Sequence, residues 1–217
     1  KKLRRLELGR TGLWLNGLRI ATLQNRIDMD RTKIKQLKNE IIATGRLLWE
    51  KDLASALNGN LSARVDGDVI LLTAHGACLG MLMESDLVLM RLSGEVLEGG
   101  KVSTEKLMHT EIYKNFPEVQ AIAHTHTTYT NAYFIHHKTF ESPIFESRFT
   151  IGEVKGVDQT TPSVTDAVPL IDALKGNNIA VLRNHGVVAM GRALFDCFLF
   201  IQTLEEQVKI GAMSRLY

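Results

Sequence analysis

The sequence of 217 residues predicts one α/β domain: a central mixed, mainly antiparallel sheet flanked by helices. Three observations lead there. Helical and strand periodicities intermix along the chain instead of running in separate blocks. The first two strand-like runs are joined by Asp66-Gly67, a two-residue hairpin signal that requires antiparallel pairing. No G-x-G-x-x-G follows the first strand and no G-x-x-x-x-G-K-[ST] occurs anywhere, so a doubly wound nucleotide-binding fold has no local support. At 45% hydrophobic and 23% charged residues, the chain has the apolar material for a full core.

The elements follow in order. Ile34, Leu37, Ile41, Ile42, Leu48 and Trp49 recur near helical spacing and predict an amphipathic helix over 31–52. Asn58-Gly59-Asn60 is a turn signal, and 61–65 alternates apolar and polar as a strand does. Residues 69–73 return as the second strand of the hairpin, 87–92 form a third, and Ser93-Gly94 turns the chain into 95–97. Ser103 reads as the cap of a helix over 104–115 that stops before Pro117. A buried strand over 119–125 and a helix over 128–137 come next. The stretch 138–162, punctuated by Pro143, Gly152, Gly156 and Pro162, yields no periodicity. A helix over 164–175, a strand over 179–190 and a helix over 193–215 complete the reading.

Charge and cysteine content narrow the function classes. Residues 1–28 hold seven basic residues against Glu7 and Asp28, while the remainder is mildly acidic. We read 1–28 as a basic N-terminal extension and 29–217 as the domain. Asn16 and Arg19 interrupt what would be the apolar centre of a secretory signal. The main body offers no clustered basic face for nucleic acid, and no run approaches the ~18 apolar residues of a membrane span. Cys78 and Cys197 alone make no disulfide framework, so the expected location is cytoplasmic.

The chemistry concentrates in Ala123-His124-Thr125-His126-Thr127. Side chains two apart on a strand share a face, so His124 and His126 would stand side by side. Paired imidazoles are hard to satisfy with hydrogen bonds in a tight space and well suited to one divalent metal, although surface strands also produce H-x-H by chance. A third imidazole, His185, sits in the apolar run 181–188 and is followed by Gly186, which permits close backbone approach. It is either a core histidine bonded to a carbonyl or the third ligand of an open, catalytic zinc site. Glu105 at a helix start is either a helix-terminal carboxylate or a group working beside the metal. His109, one turn after Glu105, either orients that carboxylate or packs in the core, and packing is the preferred reading. His136 and His137 receive no role.

These residues stand within an ordered set of short motifs: Gly59-Asn60-Leu61-Ser62, Thr73-Ala74-His75-Gly76, Ser103-Thr104-Glu105, His124-Thr125-His126 and Asn184-His185-Gly186. In that order the chain resembles the class II aldolase/adducin family, whose enzymes include L-fuculose-1-phosphate aldolases, over about residues 32–215. The resemblance implies a Zn2+ ion, or another divalent metal, held by His124, His126 and His185, with Glu105 as the acid/base residue that also touches it. It implies a phosphate pocket of Gly59, Asn60, His75, Gly76, Ser103 and Thr104. A homotetramer with the site near a subunit boundary is implied as well.

The function that follows is a zinc-dependent lyase, a class II aldolase of carbohydrate metabolism. It would cleave a ketose 1-phosphate to dihydroxyacetone phosphate and an aldehyde, with a small sugar phosphate as partner and neither nucleic acid nor membrane. Breaking a carbon–carbon bond beside a ketone leaves negative charge on oxygen, which an electrophilic ion offsets while a carboxyl group moves protons. Three departures from the family pattern stand out. His75 replaces a small hydroxyl residue, Phe145 and Phe149 occupy the loop where a proton-donating tyrosine is expected, and the chain stops at Tyr217, before a tail that completes a neighbour's site in some relatives. Same-fold alternatives are an epimerase, whose pattern has Asp at the position of Glu105, a dehydratase, a decarboxylase of an unphosphorylated acid, and a non-catalytic adducin-like assembly module.

Overall fold

The computed structural model describes the backbone of residues 11–216 and side chains from residue 31 onward. Residues 1–10 of the expected extension lie outside the described residues. Two compact units divide the chain, one ending at Gln36 and the other beginning at Leu37. Helix α1 (Thr11–Glu50) starts well before the expected helix over 31–52. In the second unit its buried stripe is Ile41, Thr44, Gly45 and Leu48, the i, i+3, i+4, i+7 spacing of one helical face.

Among the described residues nine strands occur, β1 (Asn60–Asp66), β2 (Val69–Thr73), β3 (Leu87–Arg91), β4 (Val96–Glu98), β5 (Ala121–Thr125), β6 (Thr139–Glu141), β7 (Glu153–Asp158), β8 (Ile179–Arg183) and β9 (Gly186–Gly191). They form one sheet in the order β4-β3-β2-β1-β5-β9-β8-β7-β6. Among these pairs only β7 and β8 run parallel, so the sheet is mixed and mainly antiparallel, as the hairpin signals predict. The remaining helices are α2 (Lys106–Asn115), α3 (Thr128–Phe134), α4 (Phe145–Ile151), α5 (Val168–Leu174) and α6 (Leu194–Met213). Among the described residues no helix is long and apolar enough to cross a membrane.

Side-chain alternation sorts the two faces. Ile70, Leu72, Met90, Ile122, Leu182 and Val188 share a buried core with Met108 and Ile112 of α2 and Leu170 and Leu174 of α5. Helix α6 packs on β5 and β9, with α3 and α4 against it. His124, two residues beyond Ile122, therefore lies on the face that α2 and α5 cover.

Three expectations are corrected. The run 179–190 is two strands, because Asn184 takes φ +61° and the chain reverses before Gly186. An unbroken apolar run does not reveal that reversal. The unread stretch holds β6, α4 and β7. The expected helix over 164–175 begins at Val168, with Pro169 in its first turn, where a missing N–H costs nothing.

Candidate metal centre

Strand β5 lies between β1 and β9, and its end carries the first two imidazoles. His124 pairs with Asn60 across one ladder and with Val188 across the other. His126 falls just past the strand, and the β8–β9 turn delivers His185. Thus the H-x-H pair straddles a strand end, and the third histidine belongs to a turn.

The three rings converge. His124 Nε2 lies 3.0 Å from His126 Nε2 and 3.3 Å from His185 Nε2. Ring centroids are 4.8–4.9 Å apart, with edge-to-face tilts of 68–86°. His124 Nδ1 donates to the Val187 carbonyl at 2.9 Å, which leaves Nε2 as a bare lone pair. Nitrogens at ~2.1 Å from a tetrahedral zinc stand roughly 3.4 Å apart, and all three candidate ligand atoms here lie within 4.8 Å of one another. The donor set therefore fits a divalent ion with room for a further ligand.

Electrostatics prepares the same role. Burial first, then the neighbouring imidazoles, pushes the His124 pKa well below 6.5. Burial followed by repulsion from His185 brings His126 to about 4, and burial lowers His185. Neutral imidazoles are what a metal needs as ligands.

Glu105 occupies the N-cap position of α2. The expected cap at Ser103 is displaced, since the helix begins at Lys106: Ser103 stands two residues before the N-cap, where its Oγ accepts the Glu105 N–H at 3.2 Å. The Glu105 carboxylate is buried, accepts the Val164 N–H at 3.2 Å through Oε2, and places Oε1 3.8 Å from His185 Nε2. Burial raises its pKa, and the Val164 bond partly opposes the rise.

One cavity of about 280 Å³ brings the expected residues together: Gly59, Asn60, His75, Gly76, Ser103, Thr104, Glu105, His124, His126 and His185 all line it. Leu57, Asn58, Ala74, Ala77 and Pro162 complete its wall. Gly59, at φ +102°, turns the chain where a Cβ would meet the His124 carbonyl at 2.8 Å, and so sets Asn60 beside the imidazoles. His75 and Gly76 are exposed on the rim.

His109 does not turn toward Glu105. Its Nδ1 lies 2.7 Å from Ser62 Oγ and its Nε2 2.5 Å from Asn60 Oδ1, all of them buried. Sequence reasoning missed two supports. Glu205 on α6 accepts the Tyr129 and Thr130 N–H groups at 2.8 Å, holding the start of α3 just after His126. Asn131 donates to the His185 carbonyl at 3.1 Å. Glu205 falls four residues after Ile201 and three before Val208 on the apolar stripe of α6, and a carboxylate in that place was the available signal for the first.

The profile of the Class II Aldolase and Adducin N-terminal domain matches residues 39–211. An L-fuculose phosphate aldolase of Methanocaldococcus jannaschii is 31% identical over 181 residues, covering 82% of this chain and 97% of its own. A 3-oxo-tetronate 4-phosphate decarboxylase of Haemophilus influenzae is also 31% identical, covering 80% and 85%. The L-fuculose-1-phosphate aldolase structure from Thermus thermophilus superposes with a TM-score of 0.75 at 28% identity, covering 84% of this chain and 97% of that one.

Proposed function

Since this chain belongs to the class II aldolase and adducin family, we propose that it is a metal-dependent lyase cleaving a ketose 1-phosphate, of the L-fuculose 1-phosphate kind, to dihydroxyacetone phosphate and an aldehyde. The observation that carries the reading is the meeting of three neutral imidazoles and one buried carboxyl group at one end of a single cavity. His124, His126 and His185 would hold the ion, with Glu105 at its edge. A divalent cation there would polarise the substrate carbonyl and offset the charge that grows on its oxygen.

The chain's own residues do the rest. Asn60, Ser103, Thr104 and the backbone around Gly59 and Gly76 bind the phosphoryl group and fix the sugar's register in the cavity. As the C3–C4 bond breaks, the C4 hydroxyl loses its proton and becomes the aldehyde, while the bonding pair moves toward the C2 carbonyl oxygen. Glu105, whose burial favours its acid form, delivers the proton that C3 takes up. The proton released at C4 restores the acid, and the balance closes.

A second reading has its own support. His75 places an imidazole on the rim where the family pattern has a small hydroxyl residue, and a decarboxylase stands among the relatives. A 3-oxo acid phosphate would lose CO2, its bonding pair would run to the ketone oxygen, and Glu105 would protonate the carbon left behind. Both readings carry a cytoplasmic homotetramer with the site near a subunit boundary, a catalytic domain over 29–217 and a peripheral extension over 1–28.

Zinc-loaded protein incubated with ketose 1-phosphates and 3-oxo acid phosphates, with products resolved by mass spectrometry, tests them. Dihydroxyacetone phosphate from a ketose 1-phosphate supports the aldolase. CO2 release alone supports the decarboxylase and overturns the aldolase. Absence of both products overturns both, and protein that stays metal-free on reconstitution would point to an assembly module.

A further inference from the structure

Asn60 faces the cavity, yet a side-chain amide can present either a donor or an acceptor there. Which of the two it presents is set by what holds its other end. Asn60 Oδ1 is 2.5 Å from His109 Nε2, His109 Nδ1 is 2.7 Å from Ser62 Oγ, and Ser62 Oγ is 2.9 Å from the Tyr113 hydroxyl. All four side chains are buried, so each bond must be made within the chain of groups.

Only two proton arrangements run through such a chain. In the first, the Tyr113 O–H donates to Ser62, the Ser62 O–H donates to His109 Nδ1, and the His109 Nε2–H donates to Asn60 Oδ1. Every bond is then 2.5–2.9 Å, and both Asn60 N–H donors are left for the cavity. In the second, every proton points the other way. The last one, on Tyr113, then reaches only the Gln120 carbonyl at 3.5 Å, and Asn60 turns an acceptor into a cavity that already holds the Glu105 carboxylate. The long terminal bond and the facing acceptors both disfavour it.

We infer that His109 is a positioning residue for substrate: its Nε2–H tautomer locks the Asn60 amide with the NH2 group in the cavity, which makes this wall a donor surface selective for an anionic oxygen. The inference deepens the reading under Proposed function and rests on it for the identity of the ligand, since phosphoryl and carboxyl oxygens share this chemistry. His109 touches no substrate, and it acts through Asn60 at one remove.

Neutron diffraction from deuterated protein reads the arrangement directly. Deuterium on His109 Nε2, with the ND2 group of Asn60 directed into the cavity, is expected. Deuterium on Nδ1, with the Asn60 oxygen in the cavity, overturns the inference whatever the ligand. The second arm titrates inorganic phosphate into zinc-loaded protein. His109→Gln retains a donor toward Asn60 and should bind within about threefold of the native protein. His109→Met removes that donor at similar volume and should bind about tenfold more weakly, with KM for an active phosphorylated substrate rising more than kcat falls.

Equal affinity in all three proteins overturns the inference, as does equal loss in both variants. Should His109→Met not fold, the native neutron map and His109→Gln still decide the matter. Native protein that binds no phosphate would refute the anion reading of the cavity, while the neutron map would still answer for the amide.

Discussion

Gly186 lies so close to Thr125 that a Cβ on the glycine would sit 2.4 Å from the Thr125 carbonyl oxygen, and 2.8 and 2.9 Å from ring carbons of His126 and His124. Backbone and two imidazoles would have to move together to admit one methyl group. Gly186→Ala should therefore destabilise the fold by about 1–3 kcal/mol, the usual range for overpacking. It should also weaken zinc binding at least about tenfold, since ligand nitrogens shift with their rings. Urea unfolding and competition with a zinc chelator measure the two effects. Gly211, inside α6 with nothing within 4 Å of an added Cβ, is the control. Gly211→Ala should leave zinc affinity unchanged and add about 0.5–1 kcal/mol of stability.

Glu105 separates chemistry from metal retention. Replacing it with Gln keeps the volume and an oxygen to accept the Val164 N–H, while removing the transferable proton. Turnover of the active substrate should fall by about 10²–10⁴-fold. Zinc content should stay close to native, because the proposed ligands His124, His126 and His185 would hold the ion without the carboxylate. Full activity in Glu105→Gln would make the carboxylate a mere helix-start charge.

Much of this site was legible because its residues recur in short local strings. His124 and His126 are two apart, Gly59 and Asn60 adjacent, and Ser103 lies two before Glu105, so each string needs only a strand end or a helix start to work. The Asp66-Gly67 signal likewise finds the chain reversal, and β2 runs over Val69–Thr73 as predicted, but the two turn residues are Gly67 and Asp68 and the ladder shifts register between Arg64 and Asp66. What stayed hidden is what tertiary contacts decide. Nothing local in 179–190 announces that Asn184 takes a positive φ and folds the run back on itself. Nor can four-residue spacing tell whether His109 turns to Glu105 on its own helix or to Asn60 on a strand. The sheet supplies that partner, by pairing Asn60 with His124.

Glu205 ties α6 to the start of α3, just past the end of β5 that carries His124. Its carboxylate accepts two N–H groups of α3 at 2.8 Å and the Thr130 hydroxyl at 2.7 Å, and α3 in turn reaches the His185 carbonyl through Asn131. Glu205→Ala would leave the two Thr130 donors buried without a partner and should cost about 2–4 kcal/mol in urea unfolding. Zinc affinity should weaken in parallel, since the α3 start follows His126 directly. Unchanged zinc affinity in a destabilised variant would show that the capping bond serves the fold alone.

His109 gives the stability of the protein a predictable response to acid. Burial takes its pKa from 6.5 down to about 3, with Asn60 and Ser62 bonded to its two nitrogens. Between those values the unfolded chain binds a proton at this position that the folded chain refuses. Stability therefore rises with pH through that window. The contribution is complete above about 6.5 and drains away as pH falls toward 3, at up to about 1.4 kcal/mol per pH unit. His109→Gln has no proton to take up there, and the histidines at 124, 126 and 185 are present in both proteins once metal is chelated, with His109 the least of the influences on His124. Urea unfolding of chelated native protein and His109→Gln at pH 7 and pH 5 should give a stability difference that shifts by about 2 kcal/mol against the native protein. A shift under about 0.5 kcal/mol would mean that the folded protein protonates His109 near its ordinary pKa, with Asn60 and Ser62 unable to hold the neutral ring.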